Sequence, residues 1–267
     1  MRIVRFAAGD EVSYGLVGTA RATSTAGSGE IIAELAGHPF GGGSDSIRLT
    51  GTTYPLTDVR LLAPVLPSKV IGFGPAGPAP AGRADDGLDD ESVMYLKPST
   101  AVCGPSDPIG YPAQAHRVGA DGKLAVIIGR LCRQVPPDQA AAVIFGYSCA
   151  LDVTAADLQA SDGQWARAKG FDTFCPLGSW IETDAVAGDV TVVTSVNGEE
   201  RRHASIPGTA QSVAALIAAA SSVMTLLPGD VLLAGGGGAG QELACGDEVS
   251  VSIHAVGTLT NKVEKGD

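Results

Sequence analysis

The sequence has no cysteines spaced Cys-x-x-Cys, no apolar run long enough to cross a bilayer, and no surplus of basic residues. Each absence removes a class of protein. The five cysteines, at 103, 132, 149, 175 and 245, have no histidine at ligand spacing. That argues against a zinc site, and the odd count fits reduced thiols of the cytosol. Without a long apolar run, a membrane span is not expected. The N-terminus, Met1-Arg2-Ile3-Val4-Arg5-Phe6, alternates at once and lacks the apolar core of a signal peptide, so a cytoplasmic location is expected. Eighteen Lys and Arg against 29 Asp and Glu give a net charge of −11, the reverse of a nucleic-acid-binding surface. An acidic ligand would need a local cluster of Lys and Arg. Aromatic residues are scarce at 5%, and the 36 glycines fit the bias of a GC-rich genome. The four histidines, at 38, 116, 203 and 254, are scattered and read as surface or strand residues; His116 is the one worth testing.

The length of 267 residues suits one large domain, or a large one with a small one. Residues 3–6, 12–17 and 31–35 alternate or cluster apolar side chains between glycine-rich breaks. Residues 1–60 therefore read as a small N-terminal β-subdomain, and 61–267 as the larger domain. Residues 74–91 are rich in Pro, Gly and Ala and then Asp, without a period, and read as a mobile loop. Leu124 to Gly129 reads as a strand buried on both faces. Pro136 to Phe145 reads as a short helix, with Pro137 and Asp138 in its first turn. Ala155 to Lys169 is helical or irregular. Val190 to Val196 leads into Asn197-Gly198, a strong hairpin signal. Ala210 to Leu227 is the clearest helix, ended by Pro228-Gly229. Strands close the chain at 231–233, 248–253 and 256–259. The fold class is β-rich α/β (α+β), with strands outnumbering helices.

Asp121 and Lys123 lie two residues apart, so on a strand they share a face. Two carboxylates there, with a third from elsewhere, would make an oxygen-ligand site for magnesium or calcium. An ammonium in place of one removes a ligand. It also adds a repulsion of about 4 kcal/mol at ~4 Å and an effective dielectric of 20, roughly three orders of magnitude in affinity. The ammonium can instead lie where the metal would, pairing with Asp121 and Asp152. The alternative is that Lys123 turns to solvent and Asp121-Gly122 is a turn. The strand phase set from Leu124 onward favours the internal cation.

The stretch Phe145 to Gly178, FGYSCALDVTAADLQASDGQWARAKGFDTFCPLG, closely resembles the signature of the fumarylacetoacetate hydrolase family. Tyr95-Leu96-Lys97-Pro98-Ser99, Leu124 to Gly129, Val196-Asn197-Gly198, Leu227 to Leu233, Gly246 to Val249 and Gly257 to Asn261 resemble it too. The resemblance implies a mixed β-roll with a small N-terminal domain, usually dimeric. It implies cleavage or rearrangement of oxo acids and β-diketones by enolate chemistry on a divalent metal held by three carboxylates. It makes Asp152 a metal ligand, with Lys169 beside it. Lys97, Gln159 and Arg167 are then expected toward the substrate. The family's first metal-binding Glu falls on Asp121 and its second on Lys123. Its Asn-Tyr-x-x-His segment, with the water-activating His, falls on Gly74 to Pro78, where no histidine stands. Its Gly-Thr-Pro-Ala-Gly turn falls on Gly235 to Ala239, and an acid-bearing lid on Asp85, Asp86, Asp89, Asp90 and Glu91.

These departures favour a divergent enzyme that needs no metal. Lys123 and Lys169 would supply the positive field, and Asp152 or Asp121 would move protons. Isomerisation, decarboxylation (a lyase reaction) or cyclisation of an oxo acid or polyketide-like β-dicarbonyl fits, in secondary metabolism. One alternative is a magnesium-dependent acylpyruvate or β-diketone hydrolase with a reduced site on Asp121 and Asp152. Another is a non-catalytic binding protein on the same scaffold. A small-molecule partner and a homodimer are expected, with no nucleic acid and no membrane.

Overall fold

The computed structural model of the protein describes residues 1–19, 29–40, 47–75, 92–184, 188–235 and 240–266. Most of the expected loop at 74–91, all of its acids, and residues 236–239 of the glycine-rich turn lie outside the described residues.

The N-terminal part forms β1 (Arg2–Ala8), β2 (Glu11–Thr19), β3 (Glu30–Leu35), β4 (Leu49–Pro55) and β5 (Arg60–Leu62). Next come β6 (Lys69–Pro75), β7 (Ser92–Pro98), β8 (Val102–Cys103) and β9 (Ile109–Tyr111). The long strands β10 (Val118–Ile128) and β11 (Ile144–Ala155) flank a 3-10 helix at Pro137–Val143. Two short helices, α1 (Ala156–Asp162) and α2 (Ala166–Gly170), lead to β12 (Cys175–Glu182). The chain ends with β13 (Val190–Val196), β14 (Glu199–Ile206), α3 (Thr209–Val223), β15 (Val231–Ala234), β16 (Gln241–Leu243), β17 (Glu248–Ile253) and β18 (Gly257–Lys265).

Among the described residues the strands form two sheets. The larger runs β4-β3-β2-β1-β12-β11-β10-β15-β6-β7, and the smaller β14-β13-β17-β18-β9. The N-terminal strands join the larger sheet through β1 and β12, with Ile3 opposite Ile181. Local chemistry sets the connections. Asn197 and Gly198 both take positive φ, at 53° and 78°, as a tight hairpin turn between β13 and β14 requires. Helix α3 buries Val213, Leu216, Ile217 and Ala220, the stripe of one helical face. It stops at Val223, short of the expected Leu227. Leu226 is drawn off instead into a bridge with Cys132, bonded both ways at 2.9 and 3.0 Å.

Strand β10 is buried along its whole length. Its period of two divides the chemistry from the packing. Ala120, Leu124, Val126 and Ile128 join one core cluster with Val192, Val249, Val251 and Leu259 of the smaller sheet. On the opposite face Ala125 and Ile127 join a second cluster with Val70, Leu177 and Val231, and Asp121 and Lys123 share that face by strand alternation. Gly122 is what lets the sheets meet. Its N–H donates to the Thr194 hydroxyl at 3.0 Å, and a Cβ there would lie 2.6 Å from the same oxygen. Asp121-Gly122 is mid-strand and not a turn, and Lys123 is buried and not solvent-facing.

Candidate active site

In the β10–β11 register Asp121 stands directly opposite Asp152, and Lys123 opposite Ala150. Like charges directly opposite on neighbouring strands repel. Both are buried, so the repulsion is not screened by water, and cations must answer it. Four do. Lys123 Nζ lies 3.2 Å from Asp121 Oδ2, and Arg202 Nε 3.6 Å from Asp121 Oδ1. Lys97 Nζ lies 2.9 Å from Asp152 Oδ1, and Lys169 Nζ 2.7 Å from Asp152 Oδ2. Among the described residues the cluster thus carries two more positive than negative charges, within a chain of net charge −11.

The cations differ in what else holds them. Lys97, on β7, donates to the carbonyls of Val153, Lys169 and Phe174 at 2.8, 3.0 and 2.9 Å. Its three N–H groups are thereby engaged, so it fixes Asp152 and the α2 turn in place. Lys169, on α2, also donates to Thr154 Oγ1 at 2.8 Å and lies 4.3 Å from the centre of the Tyr95 ring. Burial lowers its ammonium to about 8, with the neighbouring Lys97 and Lys123 adding to the fall and Asp152 opposing it. Asp152 shows the converse: burial raises its carboxyl, but Lys169, Lys97 and Lys123 outweigh that and hold it far below the usual carboxylate range. A carboxylate held that firmly in its charged form is a poor proton acceptor.

Tyr95 belongs to the site although it carried no assignment in the sequence. Its hydroxyl donates to Asp152 Oδ2, the oxygen that also receives Lys169. Its ring is packed against Gly72, where a Cβ would come within 2.2 Å of it, and against Trp165, with ring centres 5.5 Å apart. Arg202 was missed as well. Its signal in the sequence is only a basic pair on a strand, and its partner lies 81 positions away. Of the expected substrate residues, Arg167 is exposed and forks around Asp162 at 2.5 and 2.7 Å. Gln159 is half-buried on α1, and no bond joins it to the cluster among the described residues. His116 is exposed, and its backbone N–H donates to Asp157. Lys97, Asp121, Lys123, Asp152 and Lys169 are the expected residues that the fold brings together.

The chain belongs to the fumarylacetoacetate hydrolase family. The family model described as "Fumarylacetoacetate (FAA) hydrolase C-terminal" matches residues 69–264, and "Rv2993c-like, N-terminal" matches residues 1–64. A 5-carboxymethyl-2-hydroxymuconate delta-isomerase from Mycobacterium smegmatis superposes with a TM-score of 0.84 at 43% identity, covering 99% of this chain and 100% of that one. Oxaloacetate tautomerase YcgM of Escherichia coli (strain K12) is 34% identical over 73% of this chain and 92% of its own. A maleylpyruvate hydrolase from Sphingobium sp. SYK-6, solved with manganese(II) and pyruvate, has a TM-score of 0.74 at 27% identity, with both chains fully covered.

The described side chains do not make up a three-carboxylate ligand set for a divalent metal. Among the described residues no three acidic, His or Cys side chains converge as a ligand set. Asp121 Oδ1 and Oδ2 and Asp152 Oδ1 accept no hydrogen bond, which is the state of metal-binding oxygens. Each nevertheless faces an ammonium or guanidinium within 3.6 Å. Lys123, opposite Ala150, carries a cation of its own beside Asp121. No helix of the described residues is long and apolar enough to cross a membrane.

Proposed function

We propose that the protein is a metal-independent isomerase of 2-oxo acids, interconverting keto and enol forms through an enolate. The observation that carries this is Lys123, buried beside Asp121 at the place of a ligand carboxylate. Losing an α-proton puts negative charge on the 2-oxo oxygen, and a fixed cation in a dry site stabilises it without reorganising. Lys123 and Lys169 supply that charge. Asp121, whose two oxygens accept no hydrogen bond, is better placed than Asp152 to take the proton. Returning it to another carbon or to oxygen completes an isomerisation. The isomerase and tautomerase relatives support this reaction type. Decarboxylation and cyclisation of a β-dicarbonyl use the same enolate and remain within the reading.

The test is turnover of a panel of 2-oxo acids, with and without Lys123. Lys123→Ala is expected to abolish exchange of the α-proton with solvent deuterium while the circular dichroism spectrum persists. Unchanged exchange would remove Lys123 from the mechanism. One observation favours a second reading: three carboxylate oxygens on Asp121 and Asp152 accept no hydrogen bond. On it the protein is a magnesium-dependent acylpyruvate or β-diketone hydrolase, with waters replacing the missing ligand.

A further inference from the structure

Two donors meet on one oxygen of the site. Asp152 Oδ2 accepts the Tyr95 hydroxyl and also the Lys169 ammonium, the latter at 2.7 Å. Its other oxygen, Oδ1, faces Lys97 Nζ at 2.9 Å. Tyr95 meets Lys169 directly as well, since the ammonium lies 4.3 Å from the centre of its ring. One aromatic side chain thus touches both members of a buried ion pair. The fold makes room for it there. Tyr95 stands opposite Gly72 in the β6–β7 register, and a Cβ on Gly72 would collide with the ring and its hydroxyl oxygen. Trp165 packs on the same ring with centres 5.5 Å apart. Gly74, two residues along β6, leaves space for Trp165 in turn, since a Cβ there would lie 3.3 Å from the indole.

The hydroxyl is neutral, so it draws on the charge of Asp152 Oδ2 without adding any of its own. A carboxylate oxygen shared between two donors neutralises each of them less. Without the hydroxyl, that oxygen would turn wholly onto Lys169, and a tighter ion pair shows a weaker positive field to its surroundings. In a dry site such differences are large, because water does not level them. Lys169 is held from a second side by Thr154 Oγ1 at 2.8 Å, which leaves one of its three N–H groups for other work. Tyr95 itself is buried and its hydroxyl is committed to Asp152, so its effect on chemistry passes through the ion pair.

We propose that Tyr95 is a positioning residue: by sharing Asp152 Oδ2 with Lys169, its hydroxyl keeps the Lys169 ammonium fixed and only partly neutralised for the charge that develops on the substrate. This rests on the enolate reading above and adds a residue to it. A field kept ready for the transition state changes turnover more than ground-state binding, so the hydroxyl acts on kcat and leaves KM nearly alone.

The test is the steady-state rate of α-proton exchange on oxaloacetate, measured on the full chain with circular dichroism of each variant. Tyr95→Phe keeps the ring against Gly72, Trp165 and Lys169 and removes only the hydroxyl. It is expected to keep its fold and to lower kcat about tenfold with KM within about twofold of native. The same change is then made in a Lys169→Met protein, whose residual rate rests on Lys123. There it is expected to alter kcat by less than about twofold, because the residue through which it acts is gone. A native kcat in Tyr95→Phe, a rise in KM alone, or a full tenfold fall in the Lys169→Met background would overturn the assignment. So would loss of the fold in Tyr95→Phe, which would make the hydroxyl a packing group. In each of these cases a native rate that Lys123→Ala abolishes leaves the enolate reading standing. Absence of exchange by the native protein would bring down both.

Discussion

Asp121 and Asp152 face each other directly across the β10–β11 pair, both buried, with no metal-ligand set between them among the described residues. Two such carboxylates hold together only if positive charge lies between or around them. Here that charge is carried by side chains from four separate elements: Lys97 on β7, Lys123 on β10, Lys169 on α2 and Arg202 on β14.

Asp152 is the anchor of that arrangement. Asp152→Asn leaves Lys97 and Lys169 buried without their carboxylate, and removing one partner of a buried pair costs about 3–5 kcal/mol. Chemical denaturation at pH 7 is expected to show a loss of that order. The pH dependence follows from the lowered carboxyl: its stabilisation is fully present above the ordinary value of 3.8 and is lost as pH falls below it. The native protein and Asp152→Asn should therefore converge in stability on acidification, and parallel curves would contradict this.

On the proposed mechanism Lys169 would set the alkaline limb of activity. Its ammonium is lowered to about 8, chiefly by burial, so on the proposed mechanism the charge offered to an enolate is lost as pH rises through that value. The expected kcat/KM profile falls above pH about 8. Lys169→Arg, which keeps its charge throughout, should lose the alkaline limb while lowering the plateau.

Reversing the key residue should reverse the site's preference. Lys123→Glu restores a carboxylate on the face shared with Asp121 and removes the repelling ammonium. Manganese at about 100 times its Kd would then stabilise the variant by about 2.7 kcal/mol, read as a rise in Tm, and leave the native protein unshifted. No shift in the variant would mean that the remaining cations, Lys97, Lys169 and Arg202, suffice to exclude the metal.

How much of this was legible in the sequence depends on the distance over which each signal acts. The pairing of Asp121 with Lys123 on one face follows from the two-residue period of a strand, and Leu124 to Ile128 fixes the phase. The direct opposition of Asp121 and Asp152 does not follow from that pattern alone. It depends on the β10–β11 register, which shifts between Ile127 and Ile128. Tyr95 stands in a segment that resembles the family, and its place in the site appears only when Gly72 on the neighbouring strand leaves room for its ring. Arg202 is brought in by sheet packing, which no local pattern encodes. Arg167 shows the opposite failure: a basic residue inside the signature stretch that spends its fork on Asp162, five positions away on the same local unit. The hairpin at Asn197-Gly198 and most strands were legible because turn chemistry and alternation are local.

Gly122 tests the packing side of the same geometry. In Gly122→Ala the added methyl would meet Thr194 Oγ1 at 2.6 Å and Val251 Cγ2 at 2.8 Å. Overpacking of this kind costs about 1–3 kcal/mol. Thermal unfolding should register that loss. A fully stable variant would show that the sheets do not depend on this contact.

The most direct measurement is the metal content of the purified, chelator-treated protein, taken together with its rate of α-proton exchange on oxaloacetate. The expected result is a full rate with far less than one equivalent of magnesium or manganese per chain, and no gain when either is added back. A rate that vanishes on chelation and returns with stoichiometric metal would contradict the assignment of Lys123 as the site's cation.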